Sequence, residues 1–174
     1  MKKSIFAVSI LVGAALVSTS ALAEESAFSV GIGSYGLSIK YPTVTDTLTG
    51  PALNLNLNFN RFVSLGSHIY ALQHDTISTL EMNGYDILIR GGLVGSGINV
   101  AASAGAWSET LSQPSINNAT ADFSGTCLGV SLGYSWESFT ILADMTRRTI
   151  KDYQGTSSGN VDAATTAINL SYRF

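Results

Sequence analysis

The sequence predicts an all-β fold, an eight-stranded antiparallel up-and-down barrel that crosses a membrane on its strands. Three observations predict it. From Ile168 to Phe174 every second residue is apolar, the period of a strand with one greasy face. Seven further segments carry a two-residue period. The gaps between them alternate long and short, as in a barrel with long loops at one rim and tight turns at the other.

The beginning of the chain fits an exported protein. Lys2 and Lys3 precede an apolar run from Ile5 to Val17, and Ala21-Leu22-Ala23 has the small-x-small form of a signal-peptidase site. Residues 1–23 are therefore expected to be a removed signal peptide, and residues 24–174 a single barrel domain. The apolar run falls short of the about 20 residues of a transmembrane helix. No later stretch is continuously apolar, so a membrane-inserted chain must be a barrel.

The elements follow in order. The first strand runs from Phe28 to Tyr41, and its apolar phase slips from Phe28, Val30 and Ile32 to Tyr35, Leu37, Ile39 and Tyr41 near Gly33-Ser34, which predicts a bulge. The second alternates most cleanly, Leu53, Leu55, Leu57 and Phe59 against Asn54, Asn56, Asn58 and Asn60. The third, Phe62 to Leu72, has one face of Val63, Leu65, Ile69 and Ala71, but Tyr70 and Leu72 fall on the other. The fourth sets Tyr85, Ile87 and Ile89 against Asp86 and Arg90. The fifth, Ile98 to Trp107, has a thin apolar face of Ile98, Val100 and alanines. In the sixth, Leu128, Val130, Leu132, Tyr134 and Trp136 oppose Cys127, Ser131, Ser135 and Glu137. The seventh opposes Phe139, Ile141, Ala143 and Met145 to Thr140, Asp144 and Arg148, and the eighth spans 164–174.

Between them lie 42–52, Asn60-Arg61, 73–84, 92–97, 108–124, Glu137-Ser138 and 149–163. Long outer loops and short periplasmic turns place both ends of the barrel in the periplasm. Alternation alone does not say which face looks inward. Size does: the polar faces carry Gly, Ser, Asn and Thr rather than Lys and Glu, and small residues suit the packed interior of eight strands. Phe59, Phe62, Tyr134, Trp136, Phe139, Tyr172 and Phe174 gather beside the tight turns and the end of the eighth strand, as a periplasmic aromatic girdle would.

Without Lys2 and Lys3, seven of the nine Lys and Arg remain against twelve Asp and Glu. No basic stripe offers itself to nucleic acid. Arg147, Arg148 and Lys151 form the one cationic cluster, read as the outer end of a strand. A lone Cys127 cannot close an internal disulfide.

The signal peptide, the eight alternating strands, the loop rhythm and Phe174 together resemble the small eight-stranded bacterial outer-membrane β-barrels typified by OmpX and the OmpA membrane domain. In that family the terminal aromatics, here Tyr172 and Phe174, form part of the signal read by the barrel-assembly machinery. The resemblance implies an outer-membrane location, contact with outer-membrane lipid and lipopolysaccharide, and roles such as adhesion, envelope integrity or resistance, exerted through loops that meet a host or phage surface ligand. It also admits a lipid A-modifying enzyme, or a narrow ion channel. No peptidoglycan-binding domain is expected after Phe174.

Candidate sites narrow the choice. Gly31 to Gly36 spells G-x-G-x-x-G, but a dinucleotide site needs that motif to open a helix, whereas here it continues a strand. No cofactor is expected. Asn118-Ala119-Thr120 matches a glycosylation sequon and reads as a polar loop. Lipid A deacylases of this barrel class place His and Ser two apart on one strand face. Ser67 and His68 are adjacent and point to opposite faces, so no catalytic residue is assigned. His74-Asp75 reads as a solvated rim pair, and no metal cluster is evident. Lys40, Asp86, Arg90, Glu137, Asp144, Arg148 and Arg173 fall on the polar faces, where charges in a narrow lumen must pair or meet water. The expectation is a structural plug of charge pairs, with Glu137 and Arg173 meeting at the periplasmic end and Lys40 and Asp86 nearer the outer half.

Overall fold

The computed structural model describes residues 27–41, 44–77, 79–113, 119–149 and 162–174. The expected signal peptide, Asn118 of the sequon and Lys151 lie outside the described residues. Eight strands follow one another: β1 (Ala27–Lys40), β2 (Thr45–Asn58), β3 (Val63–His74), β4 (Glu81–Leu93), β5 (Gly97–Gln113), β6 (Ala119–Ser135), β7 (Phe139–Arg148) and β8 (Asp162–Arg173). Each pairs antiparallel with its sequence neighbour, and β8 returns to β1 to close the barrel. Closure leaves no sheet edge through the barrel wall, so every backbone group there can be paired without water.

The period of two sorts side chains between wall and lumen. On β6, Val130 and Leu132 are 59% and 62% exposed while Ser131 between them is 3% exposed. The exposed apolar residues of the other strands include Ile32, Leu53, Ile69, Ile89, Ile98, Met145, Ile168 and Leu170. A belt of that size is an exterior that hydrocarbon, not water, solvates. Phe139, Tyr172 and Phe174 meet edge-on at 5.4 and 5.1 Å, and Phe174 lies 6.2 Å from Phe28. These rings rim the periplasmic end with Tyr134 and Trp136.

Short turns close that end. Asn60 Oδ1 accepts from the amides of Phe62 and Val63 at 2.8 and 2.9 Å, the side-chain turn that Asn favours. The β4–β5 turn uses Gly95 and Gly97 at φ 117° and 84°, conformations open to residues without a Cβ.

Two expectations about strands change. The register of β1 with β2 and β8 runs unbroken through Gly33 and Ser34, so there is no bulge. Tyr35, Leu37 and Ile39 are instead inward and buried. The apolar face switches sides because the outer part of the lumen is itself apolar: Leu48, Leu72 and Met82 from β2, β3 and β4 pack there with Tyr35, Leu37 and Ile39. Tyr70 and Leu72, which made the third strand ambiguous, belong to the same inner cluster.

The strands also run farther outward than their greasy faces. Residues 45–52, 81–84, 108–113 and 119–124, which fall in the expected loops, are strand. Their outward residues are mostly Thr and Ser, with Pro51, Glu81, Asn83 and Asp122, so beyond the hydrocarbon the wall loses the apolar signal while backbone pairing continues.

Candidate functional site

Inside the barrel, every second residue of each strand points at the same narrow axis, and eight strands leave space only for packed side chains. The charges placed there join one another. Arg90 on β4 reaches Asp144 on β7 with two bonds, Nε to Oδ1 and Nη2 to Oδ2, both 3.1 Å. Ser131 Oγ also donates to Asp144 Oδ1, and Arg90 Nη1 donates to Asn56 Oδ1 at 3.0 Å. Room for the guanidinium comes from Gly66 on β3, where an added Cβ would overlap Arg90 Nη1.

His68 links this pair to a second carboxylate. Its Nδ1 lies 2.7 Å from Asp86 Oδ1 and its Nε2 3.3 Å from Asp144 Oδ2. Tyr35 Oη donates to Asp86 Oδ2 at 2.6 Å. Arg148 then donates through Nη2 to Tyr35 and Tyr70 at 2.9 and 2.8 Å, and its Nη1 pairs with Glu109. Its guanidinium sits 4.7 Å from the Trp107 ring centroid, close enough for a cation–π contact. His68 thus stands between the Asp86 and Asp144 carboxylates, and with the guanidinium groups of Arg90 and Arg148 it faces the carboxylates of Asp86, Glu109 and Asp144. Such mutual pairing is the condition under which charges survive in a desolvated interior.

Of the seven expected lumenal charges, the barrel brings together four, Asp86, Arg90, Asp144 and Arg148. The other three are corrected. Lys40 is exposed on the outward face of β1, because without a bulge it keeps the parity of Ile32 rather than of Ile39. Glu137 is exposed in the β6–β7 turn, since β6 ends at Ser135 and the next residues leave the wall. Arg173 does point inward, but at the mouth, where its Nη1 donates to Ser96 Oγ at 3.4 Å and to the Trp136 carbonyl at 3.2 Å. The expected Glu137–Arg173 pair is absent among the described residues. His74 is buried rather than solvated: its Nδ1 accepts from the amides of Thr76 and Ile77, each at 3.1 Å, and its Nε2 faces Asp46 at 3.6 Å. Burial first and the Asp46 carboxylate second raise the Tyr41 phenol above its ordinary value.

Sequence reasoning missed His68 and Glu109 as members of the network. Glu109 continues the inward phase Ser103, Gly105, Trp107, and that phase was the available signal. His68 shares its face with Ser64 and Gly66, small residues opposite bulky partners.

The two ends of the lumen differ. The periplasmic half holds a polar cavity of about 10 Å³ lined by Asn56, Asn58, Ser64, Arg90, Asn99 and Ser135, the scale of one water. Toward the outside the network and then the apolar cluster fill the cross-section. Among the described residues, no group of three or more His, Cys, Asp or Glu is placed to hold a metal.

The outer side carries a different feature. β5 and β6 each have 17 residues, against 10 in β7, or about 56 Å of strand against about 33 Å. The β6–β7 register ends at Cys127↔Arg148, with one more bond from Thr149 N to the Thr126 carbonyl. β5 and β6 stay paired out to Gln113↔Ala119, whereas β4 ends at Glu81 with β3 still paired beside it at Gln73. The β5–β6 ladder therefore projects past β7.

A closed eight-stranded barrel with an apolar belt, a periplasmic aromatic rim and a plugged lumen defines a transmembrane β-barrel of the outer-membrane type. Solved structures of that type superpose on it. The Ail attachment invasion locus protein of Yersinia pestis matches at a TM-score of 0.61 and 15% identity over 87% of this chain and all of that one. The neisserial surface protein A matches at 0.60 and 12% identity, over 86% of this chain and all of its own. OprG of Pseudomonas aeruginosa matches at 0.55 and 14%, over 87% of this chain and 97% of its own. No family model matches the sequence, and no curated protein does.

Proposed function

We propose that the chain is a non-enzymatic outer-membrane barrel that presents its projecting β5–β6 ladder to a partner at the cell surface. That ladder carries this reading. Residues 119–126 continue β6 about 26 Å past its last pair with β7, so that the whole strand, about 56 Å long, is longer than a tilted strand needs to cross a hydrocarbon band of about 25 Å. Strand edges and outer loops held on a rigid wall are recurrent docking elements. The similarity to Ail, an attachment protein, and to a surface protein supports the same reading.

Charge separates this chain from one of those neighbours. Ail has been solved with a heparin analogue, sucrose octasulfate. Among the described residues the outer side here carries Asp46, Asp75, Glu81, Asp122 and Asp162 against Lys40 and Arg147, with Arg147 already bonded to Asp162 at 2.8 Å. Such a face repels a polyanion and favours a protein partner.

The other readings have less support. A deacylase-like histidine would face lipid, whereas His68 is turned into the lumen and held by two carboxylates. An ion path would have to pass the Arg90–Asp144 and Arg148–Glu109 pairs and then the apolar cluster. The test compares adherence of expressing bacteria to an epithelial monolayer with adherence after residues 111–121 are replaced by a tight turn, which keeps Glu109 in the lumen. Heat-modifiable gel mobility verifies that both barrels fold. Loss of adherence is expected; equal adherence overturns the reading.

A further inference from the structure

Arg90, Arg148 and Arg173 all point into the lumen, but only the first two meet a carboxylate. Arg90 turns the parallel N–H groups of Nε and Nη2 onto Asp144, and Arg148 pairs with Glu109. Arg173, at the periplasmic mouth, has no carboxylate partner among the described residues. Both of its side-chain bonds leave from Nη1, to Ser96 Oγ at 3.4 Å and to the Trp136 carbonyl at 3.2 Å. Its Nε is shielded from water and has no hydrogen-bond partner, and Nη2 makes no bond among the described residues. The edge with which Arg90 grips Asp144 is therefore unfilled on Arg173. A guanidinium carries five N–H donors, and leaving a shielded one unmade is unfavourable.

The surrounding turns hold this edge in place. The Arg173 amide donates to the Ser138 carbonyl at 2.8 Å, which fixes the end of β8 against the β6–β7 turn. Across the mouth, Asn99 Oδ1 accepts from the Gly95 amide at 2.9 Å while its Nδ2 donates to the Gly97 carbonyl at 3.1 Å and to Ser135 Oγ at 2.9 Å. Ser96 is thereby set toward Arg173. The Val94 amide donates to the Arg61 carbonyl at 2.9 Å, and the Arg61 guanidinium lies 4.6 Å from the Phe62 ring centroid. Among the described residues the mouth thus carries Arg61 and Arg173 against Glu137 alone. The cavity beneath it is lined at this end by Asn58, Asn99, Ser135 and Thr140, polar groups without charge. Charge and shape then select the occupant. A cation is repelled, and a single water fills one donor, whereas two oxygens spaced as in Asp144 fill Nε and Nη2 together.

We infer that the periplasmic mouth is a binding site for a small oxyanion, the carboxylate or phosphate group of a periplasmic solute, gripped by Nε and Nη2 of Arg173. The site lies at the end of the barrel opposite the β5–β6 ladder. It does not depend on what that ladder binds.

The experiment follows the arginine Nε–H signals of the folded, nitrogen-15-labelled chain in dodecyl maltoside by NMR while inorganic phosphate, acetate or chloride is added at constant ionic strength. Arg173→Lys identifies the Arg173 signal by its loss; if that chain does not fold, correlation to the assigned backbone of the wild type identifies it. The Arg173 signal should shift and saturate with a half-point of about 1–10 mM in phosphate, in acetate or in both, and the comparison tells which group the mouth takes. The signals of Arg90 and Arg148, already paired, should stay still. A shift that never saturates would overturn the inference. So would an equal shift in chloride, or exposed Arg147 moving with the same half-point, either of which would mean general screening. Saturation seen only in Glu25→Gln would overturn it too, because the chain's own acid would then hold the edge.

Discussion

Arg90 and Asp144 face each other across the lumen from β4 and β7, joined by two parallel N–H···O bonds of 3.1 Å, and both are almost wholly buried. The two strands are three apart around the wall, so the pair ties opposite sides of the barrel. Single changes Arg90→Gln or Asp144→Asn leave the partner uncompensated and are expected to cost about 3–5 kcal/mol each. A double-mutant cycle read from urea unfolding in lipid should show coupling above about 1 kcal/mol. Additive single effects would mean that the two charges are held by other groups.

Gly66 is the space in which the Arg90 guanidinium lies. Gly66→Val is therefore expected to displace Arg90 and to destabilise the barrel by about 1–3 kcal/mol, the usual cost of overpacking. Combining it with Arg90→Ala should recover part of that loss. Without recovery, the glycine serves the strand rather than the arginine.

The alternation on β6 sets up a test of facing. Val130→Lys puts a charge in the apolar belt and should cost about 2–4 kcal/mol if it lies near the midplane. Lipid-phase quenchers should reach labels at Val130 and Leu132, not at Ser131. A reversed pattern would describe a water-soluble barrel with a greasy interior.

Phe174 packs its ring between Phe28 and Tyr172, and its amide donates to the Phe28 carbonyl at 2.9 Å. Phe174→Ser should lower the yield of folded barrel while leaving export intact, as read by heat-modifiable mobility. Undiminished yield would show that assembly does not depend on this ring.

In planar bilayers the wild-type barrel should show no resolvable conductance steps, because Tyr35, Leu37, Leu48 and Leu72 are packed together at its outer end. Tyr35→Ala with Tyr70→Ala removes two rings stacked at 4.2 Å and should raise the leak. Steps in the wild type would mean that the plug opens.

How much could be read in advance depended on how different the two faces of each strand are. On β2 the Leu and Asn rows are chemically opposite, and facing followed at once. On β1 the inward face turns from Ser29, Gly31 and Gly33 to Tyr35, Leu37 and Ile39, and a lumen that changes from polar to apolar reads in sequence like a slipped strand. Lys40 was misplaced by that same slip. Glu109 was hidden for another reason: its neighbours Ser108 and Thr110 face outward above the hydrocarbon, so nothing greasy marked the strand. Arg90, Asp144, Arg148 and Asp86 were legible because each is a charge on the face opposite an apolar row, Tyr85, Ile87 and Ile89 on β4 and Phe139, Ile141 and Met145 on β7. Their partners were not, since pairing across a barrel depends on stagger and tilt that no local pattern records.

The seam between β1 and β8 has a consequence for time rather than for shape. It pairs Ser29 with Arg173 and Lys40 with Asp162, residues separated by most of the sequence. Every other pairing joins neighbours along the chain and can form as a hairpin; the seam must wait until β8 arrives. Such long-range closure is slow because its entropy is lost before its contacts are gained. During that wait β1 offers a bare edge bearing Val30 and Ile32, which any extended segment could capture. The interval before closure is thus the period in which this chain is most open to mispairing, and the seam fixes where that mispairing would begin.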